Sequence, residues 1–283
     1  MRITLWGTRG SLASPGPDTT QFGGNTACVE VRGSRGGLLV LDAGTGIRPL
    51  GVTVEREISR VDILLTHLHM DHIQGLGFFE PLYRPGLEVH LWGPPSTTLH
   101  LRERLSRYLS PPLFPVRIRD LPCRLTLHDL PLGRLQIQEF ELKASLVCHP
   151  DPTVGYRISD GAATIAYLAD HEPALGAQRF PGDPNWTSGY ELAEGADILI
   201  HDTQYTDDEY PSHVGWGHSS LSQALAFAAH TGVKRLITFH HDPGHDDETL
   251  NNMMRTARRV WGELPFVLIA GTERATFEVA DHG

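Results

Sequence analysis

The sequence predicts an α/β fold, in which β-sheets pack in layers with flanking helices. Short apolar runs bounded by Gly, Pro, Asp or Asn recur along all 283 residues, as is typical of strands. Segments with helical periodicity are fewer and lie between these runs. With 40% hydrophobic and 20% charged residues, the chain also has the composition of a globular protein with a core.

The predicted strands are rich in Leu, Ile, Val and aromatic residues, which favour a pleated and half-buried surface. Most of them are short and end at residues that favour turns. In chain order they are residues 3–6, 28–31, 38–41, 62–66, 88–92, 136–148, 155–159, 164–168, 197–201, 235–240, 266–270 and 276–279.

Three segments are predicted to be helices. Residues 96–109 carry leucines at helical spacing with Arg and Glu between them. Residues 219–230 begin with serines suited to an N-cap and are followed by Gly232, a typical helix stop. Residues 246–261 begin with acidic residues and end near two arginines, which matches the helix dipole.

A single domain over residues 1–283 is expected, because no linker separates segments of different composition. Loops rich in Pro and Gly occur at residues 10–24, 110–115 and 181–189. The first is too long for a tight turn, so it is either disordered or a functional loop.

Charge and cysteine content limit the partners. Lys and Arg total 24 against 34 for Asp and Glu, and a net charge of -10 disfavours binding of long nucleic acid. A bound cation can still hold a small phosphate ester, because it reverses the local electrostatic field.

Three cysteines favour a reducing compartment. Since the sequence shows neither a signal peptide nor an apolar run of ~18 residues, we expect a cytoplasmic protein without membrane partners.

The strongest functional signal is residues 66–72, which read Thr-His-Leu-His-Met-Asp-His after an apolar run. In an extended chain His67, His69 and Asp71 share one face and His72 faces away. A turn after the strand lets these side chains point at two neighbouring metal ions. Imidazole and carboxylate ligands favour zinc, manganese or iron over calcium or magnesium. The alternative is a polar turn whose histidines only cap the strand.

More candidate ligands end other apolar runs. His149 follows Val147-Cys148, Asp170 follows Leu168-Ala169, and His240 follows Thr238-Phe239. Loops at strand ends commonly gather ligands over a sheet edge. Taken alone, each residue is more often a hydrogen-bonded structural side chain, and it is their combination that favours a site.

These residues resemble the metallo-β-lactamase superfamily of hydrolases. Residues 66–72 are similar to its His-x-His-x-Asp-His signature, and Asp42-Ala43-Gly44 looks like the Asp-x-Gly turn that precedes it. The later His149, Asp170 and His240 follow the order of the family's remaining ligands. The resemblance implies an αββα sandwich with a dinuclear metal site in the cleft between two β-sheets.

By motif position, the resemblance implies two ligand sets that share a bridging Asp170. Zinc is the expected metal, with manganese or iron as alternatives. His241 stays open as an alternative to His240. The implied sets are His67, His69, His149 and Asp170 for one ion, and Asp71, His72, Asp170 and His240 for the other.

Further motifs resemble the phosphodiesterase and ribonuclease Z-like branch. Residues 7–11 and 22–28 are similar to its amino-terminal turns, and residues 217–220 to its Gly-His-Ser-Thr segment. His201-Asp202-Thr203 stands where ribonuclease Z enzymes carry His-Glu-Ala-Thr, with Asp in place of Glu and Thr in place of Ala.

The resemblance implies a metal-dependent phosphodiesterase, and the short interval from His149 to Asp170 and the net charge favour small phosphodiesters such as cyclic nucleotides. Two cations lower the pKa of a bridging water, so that hydroxide attacks the phosphorus at neutral pH. Asp71, His218 and Asp202 are the expected catalytic residues. His218 is expected to bind phosphate or to donate a proton to the leaving oxygen, oriented by Asp202. The alternative for His218 is a helix-capping or structural role.

Ribonuclease Z carries a long arm for transfer RNA between its third histidine and its bridging aspartate, and the interval from His149 to Asp170 has no room for one. A small substrate is therefore favoured.

Two alternative functions remain: an acyl hydrolase, such as a lactonase or thioesterase, and a non-catalytic, metal-dependent nucleotide sensor. A homodimer stays open as an alternative to a monomer, because the branch often forms dimers. The aromatic residues before the 219–230 helix either stack on a nucleobase or only pack the loops; they are Trp186, Tyr205, Tyr210 and Trp216.

Overall fold

The computed structural model describes residues 1–177 and 179–279 and confirms the α/β class. The last residues of the predicted domain, 280–283, lie outside the described part of the chain. In chain order the strands are β1 (Arg2–Gly7), β2 (Cys28–Arg32), β3 (Leu38–Leu41), β4 (Arg60–Leu64), β5 (Glu88–Gly93), β6 (Arg124–Asp129), β7 (Gly133–Ile137), β8 (Phe140–Val147), β9 (Thr153–Ser159), β10 (Thr164–Leu168), β11 (Ile198–Asp202), β12 (Arg235–Phe239), β13 (Val267–Ile269) and β14 (Thr276–Glu278).

The strands form two sheets of seven within the described residues. The amino-terminal sheet has the order β14-β1-β2-β3-β4-β5-β6, and the carboxyl-terminal sheet has the order β13-β12-β11-β10-β9-β8-β7. Strands β3 to β6 are parallel to one another, and so are β10 to β13. Parallel strands end at one edge of a sheet, so side chains that follow them are brought together.

Six α-helices flank the sheets in the described residues. They are α1 (Ile47–Thr53), α2 (Met70–Ile73), α3 (Leu101–Ser106), α4 (Tyr190–Ala193), α5 (Leu221–Thr231) and α6 (Asp247–Trp261). Among them, no helix has both the length and the apolar character needed to cross a membrane.

Three apolar clusters account for the layering. One lies between the sheets and includes Leu41 of β3 and Tyr167 of β10. A second joins the outer face of the amino-terminal sheet to α1 and α3, and the third joins the outer face of the other sheet to α4, α5 and α6. Because each sheet buries apolar side chains on both faces, the molecule is an αββα sandwich, as predicted.

Every predicted strand overlaps an observed one, but two details were wrong. The segment 136–148 is not one strand: it contains parts of β7 and β8, which pair as a hairpin around Gln138, a non-glycine residue with a φ of 50°. The helix predicted at 96–109 is only α3, because residues 96–100 and 107–109 are not helical. Strand β6 and helices α1, α2 and α4 had no counterpart among the predicted elements.

Candidate metal centre

The predicted ligands lie at strand ends of both sheets. Residues 65–69 follow β4 with a bend at Thr66, and α2 then places Asp71 and His72. On the facing sheet, His149 follows β8, Asp170 follows β10 and His240 follows β12. The arrangement of these strands therefore brings residues from distant parts of the chain to one cleft.

The side chains form two groups whose potential ligand atoms lie within 4.8 Å of one another in each group. Asp170 belongs to both groups. The structure thus assembles both predicted ligand sets: His67, His69, His149 and Asp170 in one, and Asp71, His72, Asp170 and His240 in the other.

Asp170 divides its two oxygens between the groups. Its Oδ2 lies 3.5 Å from Nε2 of His67 and 3.8 Å from Nε2 of His149. Its Oδ1 lies 3.0 Å from Nε2 of His72 and 3.3 Å from Nε2 of His240. A carboxylate in this position can bridge two cations.

The buried polar atoms of the centre fit a metal better than they fit one another. His67 Nε2, His72 Nε2 and Asp170 Oδ1 are buried without a partner at hydrogen-bond geometry. Leaving such atoms unpaired is costly, and a cation bound by all of them removes that cost. A donor set of imidazoles and carboxylates suits zinc, manganese or iron.

Carboxylates hold the second ring nitrogen of two histidines. His72 Nδ1 donates to Asp42 Oδ2 at 2.8 Å, which leaves Nε2 for the metal. His69 donates instead through Nε2, to Asp151 Oδ2 at 2.8 Å, so Nδ1 is its free nitrogen. Such outer contacts fix the tautomer and raise the basicity of a ligand.

Neutral oxygens hold the other ligand histidines. Nδ1 of His149 lies 2.8 Å from the Thr153 hydroxyl, and Nδ1 of His240 lies 3.0 Å from Gln204 Oε1. The Thr66 hydroxyl contacts Nδ1 of His67 at 3.1 Å. Motif positions predicted the ligands but not these supporting side chains, whose contacts depend on the fold.

Burial and charge favour metal-binding protonation states at three positions. Burial lowers the pKa of His149 to about 4 and that of His67 well below its usual value, so both imidazoles are neutral at pH 7. Burial would raise the pKa of Asp170, but the charges of His240 and His72 lower it well below its usual range. Neutral imidazole and ionised carboxylate are the forms that bind metals.

His72 differs from these two imidazoles. Burial would lower its pKa, but the charges of Asp170, Asp71 and Asp42 raise it well above the usual value. A cation must therefore compete with a proton at His72, and binding there releases that proton.

His218 lies beside the two groups and is paired with Asp202. Its Nδ1 donates to Asp202 Oδ2 at 2.6 Å, and its ring stacks on that of His240 with centroids 4.9 Å apart. Burial would lower the pKa of His218, but the charge and hydrogen bond of Asp202 raise it to about 9. The other Asp202 oxygen accepts the amides of Gln204 and Ser219 at 2.9 and 3.2 Å.

The long loop at residues 10–24 is ordered and contributes to the centre. The Ser11 amide donates to Asp71 Oδ2 at 2.8 Å, from a backbone with a φ of 58°. A Cβ atom at Gly10 would lie 2.3 Å from Nδ1 of His240, so the glycine permits close packing against this ring. Of the two alternatives for this loop, the structure favours a functional one.

Two neighbouring histidines are directed elsewhere. Nε2 of His241 lies 2.9 Å from the carbonyl oxygen of Gly271, and its ring packs against Phe22. His171 Nδ1 lies 2.9 Å from Nε2 of His201, in a buried pair behind Asp170. Of His240 and His241, only His240 therefore belongs to the candidate centre.

The chain is similar in sequence to known proteins. A family described as "Beta-lactamase superfamily domain" matches residues 39–241. Ribonuclease Z from Myxococcus xanthus (strain DK1622) is 26% identical over 245 residues, covering 75% of this chain and 80% of that protein. "Uncharacterized protein Rv1339" from Mycobacterium tuberculosis (strain ATCC 25618 / H37Rv) is 30% identical over 250 residues, covering 86% and 81%.

A solved structure shows the same fold over nearly its whole length. The metallo-β-lactamase fold protein YhfI from Bacillus subtilis matches with a TM-score of 0.70 and 18% sequence identity. The match covers 98% of this chain and 99% of that chain.

Proposed function

The chain belongs to the metallo-β-lactamase superfamily of metal-dependent hydrolases, in its phosphodiesterase and ribonuclease Z-like branch, and from this premise we propose that it hydrolyses small phosphodiesters such as cyclic nucleotides. The observation that carries the proposal is the His218–Asp202 pair beside the two ligand groups. Hydrolysis of a phosphodiester releases an alkoxide that needs a proton, and a protonated imidazole next to the reacting atoms is suited to supply it.

The residues have separate tasks in this mechanism. The two groups would hold a pair of divalent ions, which supply a water nucleophile of lowered pKa and offset phosphate charge. Because Asp170 belongs to both ligand groups, it would keep the two ions close enough to act on one phosphate. Asp202 holds the Nδ1 proton of His218 and so leaves Nε2 for the substrate, while the Ser11 amide holds Asp71. Because these side chains are buried, bulk water has limited access to the atoms that react.

A small substrate is supported by the chain between His149 and Asp170. This interval consists of β9, β10 and their connections, without an inserted arm. The net charge of -10 also disfavours a long polyanion. The relative from Myxococcus xanthus is named Ribonuclease Z, so an RNA substrate is included in the test. Zinc as the metal and the cytoplasmic location stay predictions, and a homodimer stays an alternative to a monomer.

The proposal is tested by assaying the purified protein with zinc, manganese or iron against a substrate panel. The panel contains bis-p-nitrophenyl phosphate, cyclic nucleotides, a pre-transfer RNA, a lactone and a thioester. We expect turnover of the small phosphodiesters and its loss in Asp170→Ala with an unchanged circular dichroism spectrum. Turnover of only the lactone or thioester would establish the acyl hydrolase instead, and tight nucleotide binding without cleavage would establish the sensor.

The role of His218 is tested by leaving-group dependence. His218→Ala is expected to slow diesters with poor alkoxide leaving groups by about 10²–10⁴-fold, and p-nitrophenyl esters much less, because nitrophenolate needs no proton. Equal losses on both kinds of ester would leave His218 as a phosphate ligand and remove the proton-donor role.

A further inference from the structure

We infer that Trp216 is a stacking platform that binds a planar aromatic group of the substrate, such as a nucleobase, beside the phosphodiester. The inference rests on the proposed function, since it concerns the specificity of the same cleft. Trp216 is 59% exposed and lies two residues before His218. An indole that remains in water this close in the chain to His218 is available to a ligand.

The exposure of Trp216 does not come from a poorly packed loop. The fully buried carboxylate of Glu172 accepts the backbone amides of Gly215 and Gly217, at 3.1 and 3.0 Å. The hydroxyl of Tyr210 donates to the same carboxylate at 2.5 Å. Both neighbours of Trp216 in the chain are therefore fixed by one buried anion, and the indole is presented from a preorganised backbone. Preorganisation reduces the entropy lost when a ligand binds.

The loop is also packed directly against the metal centre. A Cβ atom at Gly217 would lie 2.4 Å from Cδ2 of His149 and 2.5 Å from Cδ of Pro150. The backbone that follows Trp216 thus touches a candidate metal ligand. The residue that follows Trp216 in the chain therefore lies next to the ligand group that contains His149.

Aromatic contacts connect the platform with the catalytic pair. The Trp216 ring meets the His213 ring with centroids 4.8 Å apart and an interplanar angle of 82°. His213 stacks on Tyr205 at 4.3 Å, and Tyr205 in turn contacts His218 at 6.0 Å. An edge-to-face contact occupies at most one face of the indole, so the other is available for stacking.

These features favour a flat aromatic group over an aliphatic one. Stacking on an aromatic side chain tolerates any nucleobase, because every base has a π-face, and it typically changes binding by about tenfold or more. The platform therefore predicts a preference for nucleoside phosphodiesters without strong discrimination among bases.

The test compares two cyclic phosphates that differ in the aromatic group. One is a nucleoside 3′,5′-cyclic phosphate, and the other is the cyclic phosphate of propane-1,3-diol, which has the same ring size and no base. In Trp216→Ala we expect an about tenfold higher KM for the nucleotide, an unchanged kcat, and unchanged kinetics for the diol ester. Trp216→Phe should retain most of the preference. Val260→Ala, on the exposed side of α6, is the control for loss of an exposed apolar side chain.

The outcomes separate this inference from the proposed function. If the wild-type protein cleaves neither ester, the proposed function fails. The platform is then tested by the quenching of tryptophan fluorescence on addition of a nucleoside monophosphate. Quenching that is lost in Trp216→Phe would support the platform. Equal changes in KM for both esters in Trp216→Ala would overturn it. A shift from dimer to monomer in that variant, without a change in selectivity, would also overturn it and identify Trp216 as a subunit contact.

Discussion

At the scale of single residues, the candidate centre depends on side chains that touch no substrate. Each ligand imidazole has its second nitrogen held by an oxygen, and the partners range from the buried carboxylate of Asp42 to the neutral amide of Gln204. Asp42 also accepts the Tyr167 hydroxyl and the Thr66 amide, at 2.8 and 2.7 Å, so it ties the two sheets together beneath His72. These contacts decide which nitrogen faces the metal.

Gln204→Leu is expected to weaken one of the two metal positions selectively. The leucine cannot accept the Nδ1 proton of His240, so the tautomer and orientation of that ring are no longer fixed. Losing such a contact typically costs about 10–100-fold in metal affinity. Zinc titration against a chromophoric chelator should then show one tight and one weakened equivalent.

Gln136→Leu is the matched control, because Gln136 is an exposed glutamine on β7 outside the centre. It should bind zinc as the wild type does. Two equally weakened equivalents, or none, in Gln204→Leu would contradict a role specific to His240.

At the scale of elements, the ends of parallel strands made the site predictable. An apolar run followed by His or Asp identifies both a strand and a potential ligand, so β4, β10 and β12 could be predicted together with the residues that follow them. The family resemblance added the order of the ligands and the αββα arrangement.

The missed elements lack such local signals. β6 is an edge strand in which Leu125 and Leu127 alternate with polar residues, so it has no continuous apolar run, and its first residue, Arg124, is exposed. The turn between β7 and β8 is formed by Gln138 and Glu139, without Gly, Pro, Asn or Asp. Helix α1 contains Pro49 and Gly51, which oppose a helix on propensity alone. Tertiary packing overrides local preference in these places.

Two glycines that flank Trp216 offer a paired test of how loop backbone supports the centre. Gly215 and Gly217 have nearly equal φ values of 86° and 87°, so an alanine at either position carries similar conformational strain, of about 1–2 kcal/mol. A methyl group added at Gly217 would lie 2.4 Å from His149, whereas at Gly215 the nearest atom is Leu175 Cδ1 at 4.0 Å.

We expect both Gly217→Ala and Gly215→Ala to lose stability in urea denaturation, and Gly217→Ala to lose more, because its methyl group would also clash with His149 and Pro150. Gly217→Ala should in addition lose affinity for the ion that His149 binds, together with activity, because the added methyl group displaces that imidazole. Zinc titration of both variants measures the difference. Equal metal affinity in the two variants would show that the loop does not position His149.

At the scale of the whole molecule, each ligand group takes residues from both sheets. His67 and His69 extend from β4 of the amino-terminal sheet, while His149 and Asp170 extend from β8 and β10 of the other. A bound ion therefore links the two halves of the sandwich at one edge. The apolar cluster between the sheets holds them together elsewhere.

Removing metal should accordingly destabilise the protein at the cleft more than in the core. A ligand present at 100 times its Kd stabilises the folded state by about 2.7 kcal/mol, which corresponds to a Tm change of about 5 °C for a chain of this size. Differential scanning calorimetry should show this decrease after chelation and its reversal by zinc. Hydrogen exchange should accelerate at residues 66–72 but not in β10 and β11, which are buried between other strands.

Asp170→Asn is the control variant, because it keeps the size of the side chain but weakens the link between the two ligand groups. Its Tm should lie near that of the metal-free wild type and rise little when zinc is added. A full rise of Tm with zinc in this variant would mean that the stabilising ion binds outside this centre.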